Sequence, residues 1–305
     1  MPDGVSEILR LVDRWERRAY PVRWSLRDTI TYAIATGADA RNARSLVWES
    51  APGFTTLPTF ATRFAHAALT DFAAGVQDAG LPSFARAWRV SLDRPLAPEC
   101  AGARASADLR VKERSGDRLV LTLDVETRAD GERIARSSLD VHFRLPGEPP
   151  PARRPTPPAT GADPSPGGGR AVTVRERVHP YQAAVFRTLL GLTAAGSVQD
   201  AMHIDPDRAR ELGLAAPALP GEVTLGIVAR LAERTLGPVG LRGLRGAEVS
   251  YRSPVSDADR LTITYTPGRD GTAEALVRNG QGRTAVSGVL RFETEPTRSV
   301  SGEAP

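Results

Sequence analysis

One histidine in this sequence is placed where it could act as an acid or a base. His203 lies in the run VQDAMHIDPDRARELG (198–213), just ahead of a short helix expected to begin at Asp205-Pro206. The carboxylate of Asp205 can cap the free N–H groups of the first turn, where proline is also favoured, and Gly213 supplies a matching stop. His203 is therefore expected on a segment that enters a helix, where side chains often project into a cleft.

A second helix start follows at Pro220-Gly221, ahead of the apolar run GEVTLGIVARLAERTLG. The N–H groups of the first turn are unpaired and carry the positive end of the helix dipole. The N–H of Gly221 could thus form an oxyanion hole for a thioester carbonyl that becomes an enolate. A histidine beside such a helix start suits proton transfer next to a carbonyl. The alternatives are a structural, hydrogen-bonded His203 and a Gly221 needed only for close packing.

The elements that would position these residues fall into two similar halves. The run PGEPPPARRPTPPATGADPSPGGG (146–169) is too rich in proline and glycine for a helix or an inner strand. It predicts an exposed linker at 146–170 between a first module, 1–145, and a second, 171–305. In each module a Leu-Pro pair (57–58 and 219–220) precedes an apolar helix, and strand-like runs with Asp-Gly turns follow. This order predicts an α+β protein made of two modules, each a helix wrapped by an antiparallel sheet.

Composition excludes several classes of protein. No run approaches the length of about 18 apolar residues that a membrane helix needs, and the N-terminus reads as an amphipathic helix rather than a signal peptide. The single Cys100 favours a reducing cytoplasm, and four scattered histidines offer no zinc-type cluster. Of the 40 basic residues only Lys112 is a lysine, and the arginines are interleaved with acidic residues. The sequence therefore predicts a cytoplasmic protein that binds neither nucleic acid nor membrane.

Several runs together resemble the MaoC-like, R-specific enoyl-CoA hydratases, also called hydratase 2. The second half contributes HIDPDRARELG, PALPGEVTLG, SYRSPVSDADRLTI and LVRNGQGRTAVSG, and the first half contributes RDTITYAIATGA and LVWESAPGFTTLPTF. The resemblance covers nearly the whole chain outside the linker and the tail. It implies a double hot-dog fold and addition or removal of water across the trans-2 double bond of an acyl thioester, a lyase reaction. The acyl chain would be carried on coenzyme A or an acyl carrier protein.

The resemblance also implies site residues. His203 takes the position of the catalytic histidine, and Gly221 that of the oxyanion glycine. Tyr32, Trp48, Glu49 and Pro58 would lie near an acyl pocket between the halves, together with Val198. Ordinary core packing is the alternative for these pocket residues, except for Glu49, which should not be buried without a partner. The resemblance implies no metal or organic cofactor, and it leaves a homodimer open.

The sequence departs from the family pattern at the catalytic carboxylate. The position of the family's aspartate is Val198, which can neither hold nor move a proton, and Asp200 is the nearest carboxylate. In one interpretation Asp200 takes over this role and hydration or dehydration is retained. In another, the cavity guides cyclisation or isomerisation of a polyunsaturated chain in specialised (polyketide) metabolism, which needs shape more than a proton-shuttling pair. A non-catalytic acyl-binding subunit and a thioesterase that uses Glu222 are further alternatives.

Overall fold

The computed structural model describes residues 4–115, 118–145, 169–190, 198–237 and 242–293. The predicted linker at 146–170 falls outside these ranges except for its last two residues, and the module boundaries stay predictions. Gly169 donates its backbone N–H to the Pro267 carbonyl at 2.8 Å.

Seven α-helices lie in the described chain: α1 (Gly4–Asp13), α2 (Leu26–Ala35), α3 (Arg44–Val47), α4 (His66–Val76), α5 (Tyr181–Leu189), α6 (Pro206–Glu211) and α7 (Gly221–Leu236). Three 3-10 helices accompany them at Pro58–Ala65, Gln77–Ala79 and Val198–His203. The apolar helix predicted after Leu57-Pro58 thus begins as a 3-10 segment and becomes α-helical only at His66. Within that segment the Thr62 hydroxyl donates to the carbonyl of Thr59 at 2.9 Å, a local bond that competes with α-helical pairing.

Within the described ranges, ten strands form one antiparallel sheet: β1 (Arg18–Trp24), β2 (Ser83–Leu92), β3 (Cys100–Ser115), β4 (Arg118–Ala129), β5 (Glu132–Arg144), β6 (Val172–Arg177), β7 (Arg242–Tyr251), β8 (Arg260–Pro267), β9 (Thr272–Arg278) and β10 (Thr284–Glu293). Their order is β1-β3-β4-β5-β2-β7-β10-β9-β8-β6. Counted outward from the central β2–β7 pair, the strands are β2, β5, β4, β3 and β1 in the first half and β7, β10, β9, β8 and β6 in the second. The two halves therefore have the same order of strands. The predicted duplication is confirmed.

The two halves meet where β2 pairs with β7 in the middle of the sheet. The pairing is antiparallel, and Trp88 lies opposite Val249 while Arg89 lies opposite Glu248. Because the same strand of each half forms this central pair, the halves are related by an approximate twofold axis at this seam. The sheet edges are then β1 and β6, the first strand of each half.

The central helices bury the apolar sides of both halves. In α7 a run of ten residues, Val223–Ala232, is buried, and Tyr265 of β8 donates its hydroxyl to the Val228 carbonyl at 2.6 Å. Gly226 brings α7 close to α2 of the other half, because a Cβ there would lie 2.3 Å from Cγ2 of Thr36. This close approach fixes the start of α7 against the first half.

The predicted hairpin turns at Asp130-Gly131 and Asp270-Gly271 are confirmed. Both residues of each turn have positive φ, at 54° and 79° in the first and 58° and 69° in the second. Two consecutive positive φ angles define the turn type that matches the twist of paired strands, and Asp-Gly is favoured there.

Candidate active site

The segment that carries His203 folds locally as its sequence indicates. Residues 198–203 form a 3-10 helix, and the Asp205 carboxylate accepts the N–H of Asp207 at 2.9 Å as the cap of α6. Gly213 then takes φ of 80°, the left-handed conformation that ends a helix. His203 is thus the last residue of this 3-10 helix, two residues before the cap of α6.

A hydrogen bond to a backbone carbonyl defines the tautomer of His203. Its Nδ1 lies 2.7 Å from the carbonyl oxygen of Ala218, and the side chain is half-buried. Because a carbonyl oxygen can only accept, Nδ1 must carry the proton. In the neutral ring Nε2 is then the nitrogen able to take a proton. The arrangement is the one a general base requires.

The acceptor of that bond lies three residues before the start of α7. Ala218 donates its own N–H to the Met202 carbonyl at 3.1 Å, and Leu219 donates to Val255 at 2.7 Å. Both bonds hold the chain as it enters the helix at Gly221. The imidazole of His203 is therefore anchored to the same short segment that presents the first N–H groups of α7.

The start of α7 can offer a backbone donor to a ligand. Pro220 is the N-cap, and its carbonyl accepts the N–H groups of Val223 and Thr224, each at 3.1 Å. The N–H of Gly221 belongs to the first turn and has no acceptor within the helix. It lies at the positive end of the dipole of a helix of 16 residues and can stabilise a developing oxyanion.

Two tyrosines, one from each half, hold this first turn. Tyr251, at the end of β7, donates its hydroxyl to the Gly221 carbonyl at 2.7 Å, and Tyr32 of α2 donates to that of Glu222 at 3.2 Å. Burial raises the pKa of both phenols, and the nearby Glu222 carboxylate raises them further. Both therefore remain neutral donors at physiological pH.

Sequence reasoning placed Tyr32 near the pocket between the halves, and the structure places it at the helix start, fully buried. Its ring also contacts Phe60 of the first half and Phe186 of the second, at centroid distances of 5.6 and 6.2 Å. Tyr251 was missed. Its only signal was its position at the end of the strand-like run AEVSYRS.

A cavity of about 710 Å³ lies between the halves. Pro58 lines it, together with the loop before it, the end of α7 and the start of β7. His203 and Gly221 are not among its lining residues. The cavity therefore faces the helix entrance of the first half rather than the loop that carries His203.

The remaining predicted residues are distributed over different surroundings. Trp48 is 39% exposed and its ring lies 3.8 Å below the guanidinium of Arg44. Glu49 is exposed, so it needs no buried partner. The backbones of Val198 and Asp200 belong to the 3-10 helix, but their side chains lie outside the described part of the structure.

The described residues include no group of three His, Cys, Asp or Glu side chains arranged to bind a metal ion. In the same part of the chain, every helix is too short or too polar to span a bilayer.

Comparison with known proteins gives a clear likeness in fold only. The sequence matches no protein-family profile and no curated protein. The structure resembles the peroxisomal multifunctional enzyme type 2 of Drosophila melanogaster, with a TM-score of 0.69 and 18% identity over 95% of this chain and 52% of that one. It resembles a MaoC-like dehydratase of Phytophthora capsici with a TM-score of 0.68 and 16% identity over 96% of this chain and 99% of that one.

A third likeness is to a conserved hypothetical protein of Mycobacterium tuberculosis with a double hot-dog fold. The TM-score is 0.57, with 15% identity over 92% of this chain and 96% of that one. The chain spans about half of the Drosophila enzyme and nearly all of the other two. This chain therefore has the double hot-dog fold, in the form that MaoC-like dehydratases and a multifunctional enzyme type 2 also have.

Proposed function

We propose that the protein is an acyl-thioester hydratase or dehydratase with His203 as its acid–base group. The observation that carries the proposal is the hydrogen bond from His203 Nδ1 to the Ala218 carbonyl, three residues before Gly221. With Nδ1 protonated, Nε2 is the ring nitrogen that can exchange a proton, beside a helix start that can receive a carbonyl oxygen. The substrate would be a 2-enoyl or 3-hydroxyacyl chain on coenzyme A or an acyl carrier protein.

In the hydration direction, Nε2 of His203 takes a proton from water as the water oxygen bonds to C3 of the enoyl chain. The electrons of the double bond move toward C2 and the thioester carbonyl, which becomes an enolate. The N–H of Gly221 stabilises the enolate oxygen. The proton is then returned to C2, and the product is a 3-hydroxyacyl thioester.

Asp200 is the proposed partner of His203 in this reaction. It lies three residues before His203 on the same 3-10 helix. A carboxylate near the attacking water would orient it and stabilise the imidazolium that forms when Nε2 is protonated. Two observations support this class of reaction: the fold resembles that of a MaoC-like dehydratase and of a multifunctional enzyme type 2, and the start of α7 can stabilise an enolate oxygen.

The test is turnover of a 2-enoyl thioester, followed by loss of the absorbance of its conjugated double bond. His203→Ala and Asp200→Asn should each lower kcat by about 10²–10⁴-fold, the usual contribution of a positioned acid or base. His179→Ala is the matched control, because this half-buried histidine stacks on Tyr181 outside the proposed site, at 5.3 Å between ring centroids. It should retain wild-type turnover.

Other outcomes separate the alternatives. Wild-type rates in both site variants would end the proposal. Release of free thiol without hydration would indicate a thioesterase that uses Glu222, in the first turn of α7. Thermal stabilisation by an acyl thioester with no turnover would indicate an acyl-binding subunit.

A second candidate is favoured by Val198, the apolar residue at the position of the family's aspartate. With one proton-exchanging group removed, the same fold could orient a polyunsaturated chain for cyclisation or isomerisation. Native hydration at a high rate would contradict this candidate.

A further inference from the structure

The cavity between the halves lies at the position in the first half that is equivalent to the proposed active site in the second half. Each half has a Leu-Pro pair at the entrance to its buried central helix: Leu57-Pro58 in the first and Leu219-Pro220 in the second. Leu57 and Pro58 line the cavity, as does the loop that precedes them. Because the strand order repeats around the β2–β7 seam, this position corresponds to that of His203 and Gly221 in the other half.

The lining of the cavity is strongly basic. Five arginines and two glutamates contribute to it, a formal excess of three positive charges, one of which Glu176 pairs from outside the lining: Arg41, Arg44, Arg230, Arg234, Arg245, Glu233 and Glu293. They come from both halves of the chain. A cavity with this balance attracts a ligand that carries several negative charges.

Both glutamates are already engaged by the protein. Glu293 forms an ion pair with Arg245, and Glu233 accepts the backbone N–H of Leu244 at 2.6 Å. Burial raises the pKa of Glu233, so its negative charge is easier to lose than in an ordinary glutamate. Glu293 thus balances Arg245, and Glu233 is the one other carboxylate that faces the remaining arginines.

Arg230 lends little of its charge to the cavity. Its side chain is only 1% exposed, and its Nε donates to the Thr36 carbonyl at 3.0 Å while Nη2 binds Glu176. Its Nη1 is enclosed by protein, with no hydrogen-bond partner among the described residues. The accessible arginine of α7 is instead Arg234, which is exposed. Arg234 lies four residues on, and so on the same side of α7.

Part of the cavity wall is apolar. Leucines of the first half supply it: Leu46, Leu57, Leu92 and Leu96. Guanidinium groups match phosphate oxygens in two-point hydrogen bonds, and several of them suit a group with more than one negative charge. The lining thus fits a molecule with a charged end and an apolar part.

We propose that this cavity is a binding site for a small molecule bearing a diphosphate or a similar polyphosphate group. Its phosphates contact Arg234 of α7 together with Arg41 and Arg44, which precede Pro58, and the rest of the molecule lies against the leucines. The site uses the helix entrance of the first half, and its ligand binds independently of the chemistry at His203.

Calorimetric titration of the whole protein with inorganic pyrophosphate tests the proposal. We expect saturable binding, weakened at least about tenfold in the double variant Arg41→Ala/Arg234→Ala, since charge-assisted bonds to phosphate are lost. Both arginines are exposed, so the fold should tolerate the change. Arg269→Ala, at an exposed arginine outside the cavity lining, is the matched control and should bind as the wild type does.

Competition between pyrophosphate and coenzyme A shows which kind of molecule supplies the phosphate groups that bind in the cavity. Displacement of pyrophosphate by coenzyme A, with both affinities reduced in the double variant, would show that the carrier's phosphates occupy the cavity. Unchanged pyrophosphate binding at saturating coenzyme A would show a separate phosphorylated ligand. Absence of saturable binding, or equal weakening in Arg269→Ala, would overturn the proposal. His203→Ala should bind pyrophosphate normally, so failure of the proposed reaction and failure of this site are distinguishable.

Discussion

The hydroxyl of Tyr251 donates a hydrogen bond of 2.7 Å to the carbonyl oxygen of Gly221, the residue at which α7 begins. The tyrosine ring lies directly against the glycine, so that even a methyl group at this position would crowd it. The position of the first N–H groups of the helix thus depends on a residue from the end of β7. The packing of Tyr251 against Gly221 therefore affects the geometry of the proposed oxyanion hole.

Gly221→Ala should reduce turnover more than it reduces stability. The new Cβ would lie 3.1 Å from Cζ of Tyr251, so either the ring or the helix start must shift. A shift of this kind is expected to lower kcat by about 10-fold to 100-fold. The free energy of unfolding should change by about 1 kcal/mol or less, because alanine's better helix propensity offsets the crowding.

Steady-state kinetics and urea unfolding of Gly221→Ala provide the measurement. Tyr251→Phe is the control, since it removes the hydrogen bond but adds no atoms. Full turnover in Gly221→Ala would contradict the dependence of the proposed oxyanion hole on the contact between Tyr251 and residue 221.

Val198→Asp should increase hydration of a 2-enoyl thioester. The substitution places a carboxylate at the position where the resembling family has its aspartate, five residues before His203. A second group able to hold and orient water is expected to raise kcat about tenfold or more. Val198→Asn matches the size of the new side chain without its charge, and should give a smaller gain. A fall in turnover in both variants would indicate that an apolar wall is needed at this position.

Gly226→Ala should destabilise the contact between the halves. Its Cβ would lie 2.3 Å from Cγ2 of Thr36 and 3.0 Å from the Tyr32 hydroxyl, so α2 and α7 must move apart. We expect a loss of about 2 kcal/mol in the free energy of unfolding, despite the gain in helix propensity. In Gly102→Ala, by contrast, the new methyl group would meet no atom within 4 Å. Chemical denaturation of the two variants gives the comparison, and equal stabilities would refute the tight packing of α2 on α7.

Asp140 should make stability fall in acid. This carboxylate is 2% exposed and binds Arg89 at 2.7 Å, Lys112 at 2.5 Å and Thr122 at 2.7 Å. Burial alone would raise its pKa, but these hydrogen bonds outweigh burial and lower the pKa to about 2. A lowered folded-state pKa gives stability that is present above about pH 4 and lost as the pH falls toward 2.

The contribution of Asp140 is about 2 kcal/mol at neutral pH by this linkage. Asp140→Asn should therefore show a flatter decline in unfolding free energy between about pH 4 and 2, and lower stability at neutral pH because Arg89 and Lys112 lose their partner. Asp108→Asn, at an exposed aspartate, is the control. Identical pH profiles for the wild type and Asp140→Asn would contradict the assignment.

Most of the fold could be predicted from the sequence, because the patterns that indicate strands and turns lie within short segments. Strand-like runs after each central helix predicted four strands in each half, β2 to β5 and β7 to β10, and the two Asp-Gly pairs predicted one hairpin turn in each half. The two edge strands, β1 and β6, were not indicated. Each is short, and each gains its stability from a partner distant in sequence, β3 and β8 respectively.

The candidate site was predictable only in part, for the same reason. His203 and Gly221 lie close in sequence and precede recognisable helices, so their spacing could be interpreted. Tyr251 reaches Gly221 from 30 residues away. The arginines of the cavity lie between positions 41 and 245, and no local pattern brings them together.

The pairing of β2 with β7 has a consequence for how the two helix entrances can differ. In a symmetric dimer of identical subunits, any substitution at one entrance appears at the other as well. Here a single chain supplies both sides of the seam, so each entrance can change alone. Because the two halves are joined in one chain, one helix entrance can keep a histidine while the other acquires several arginines.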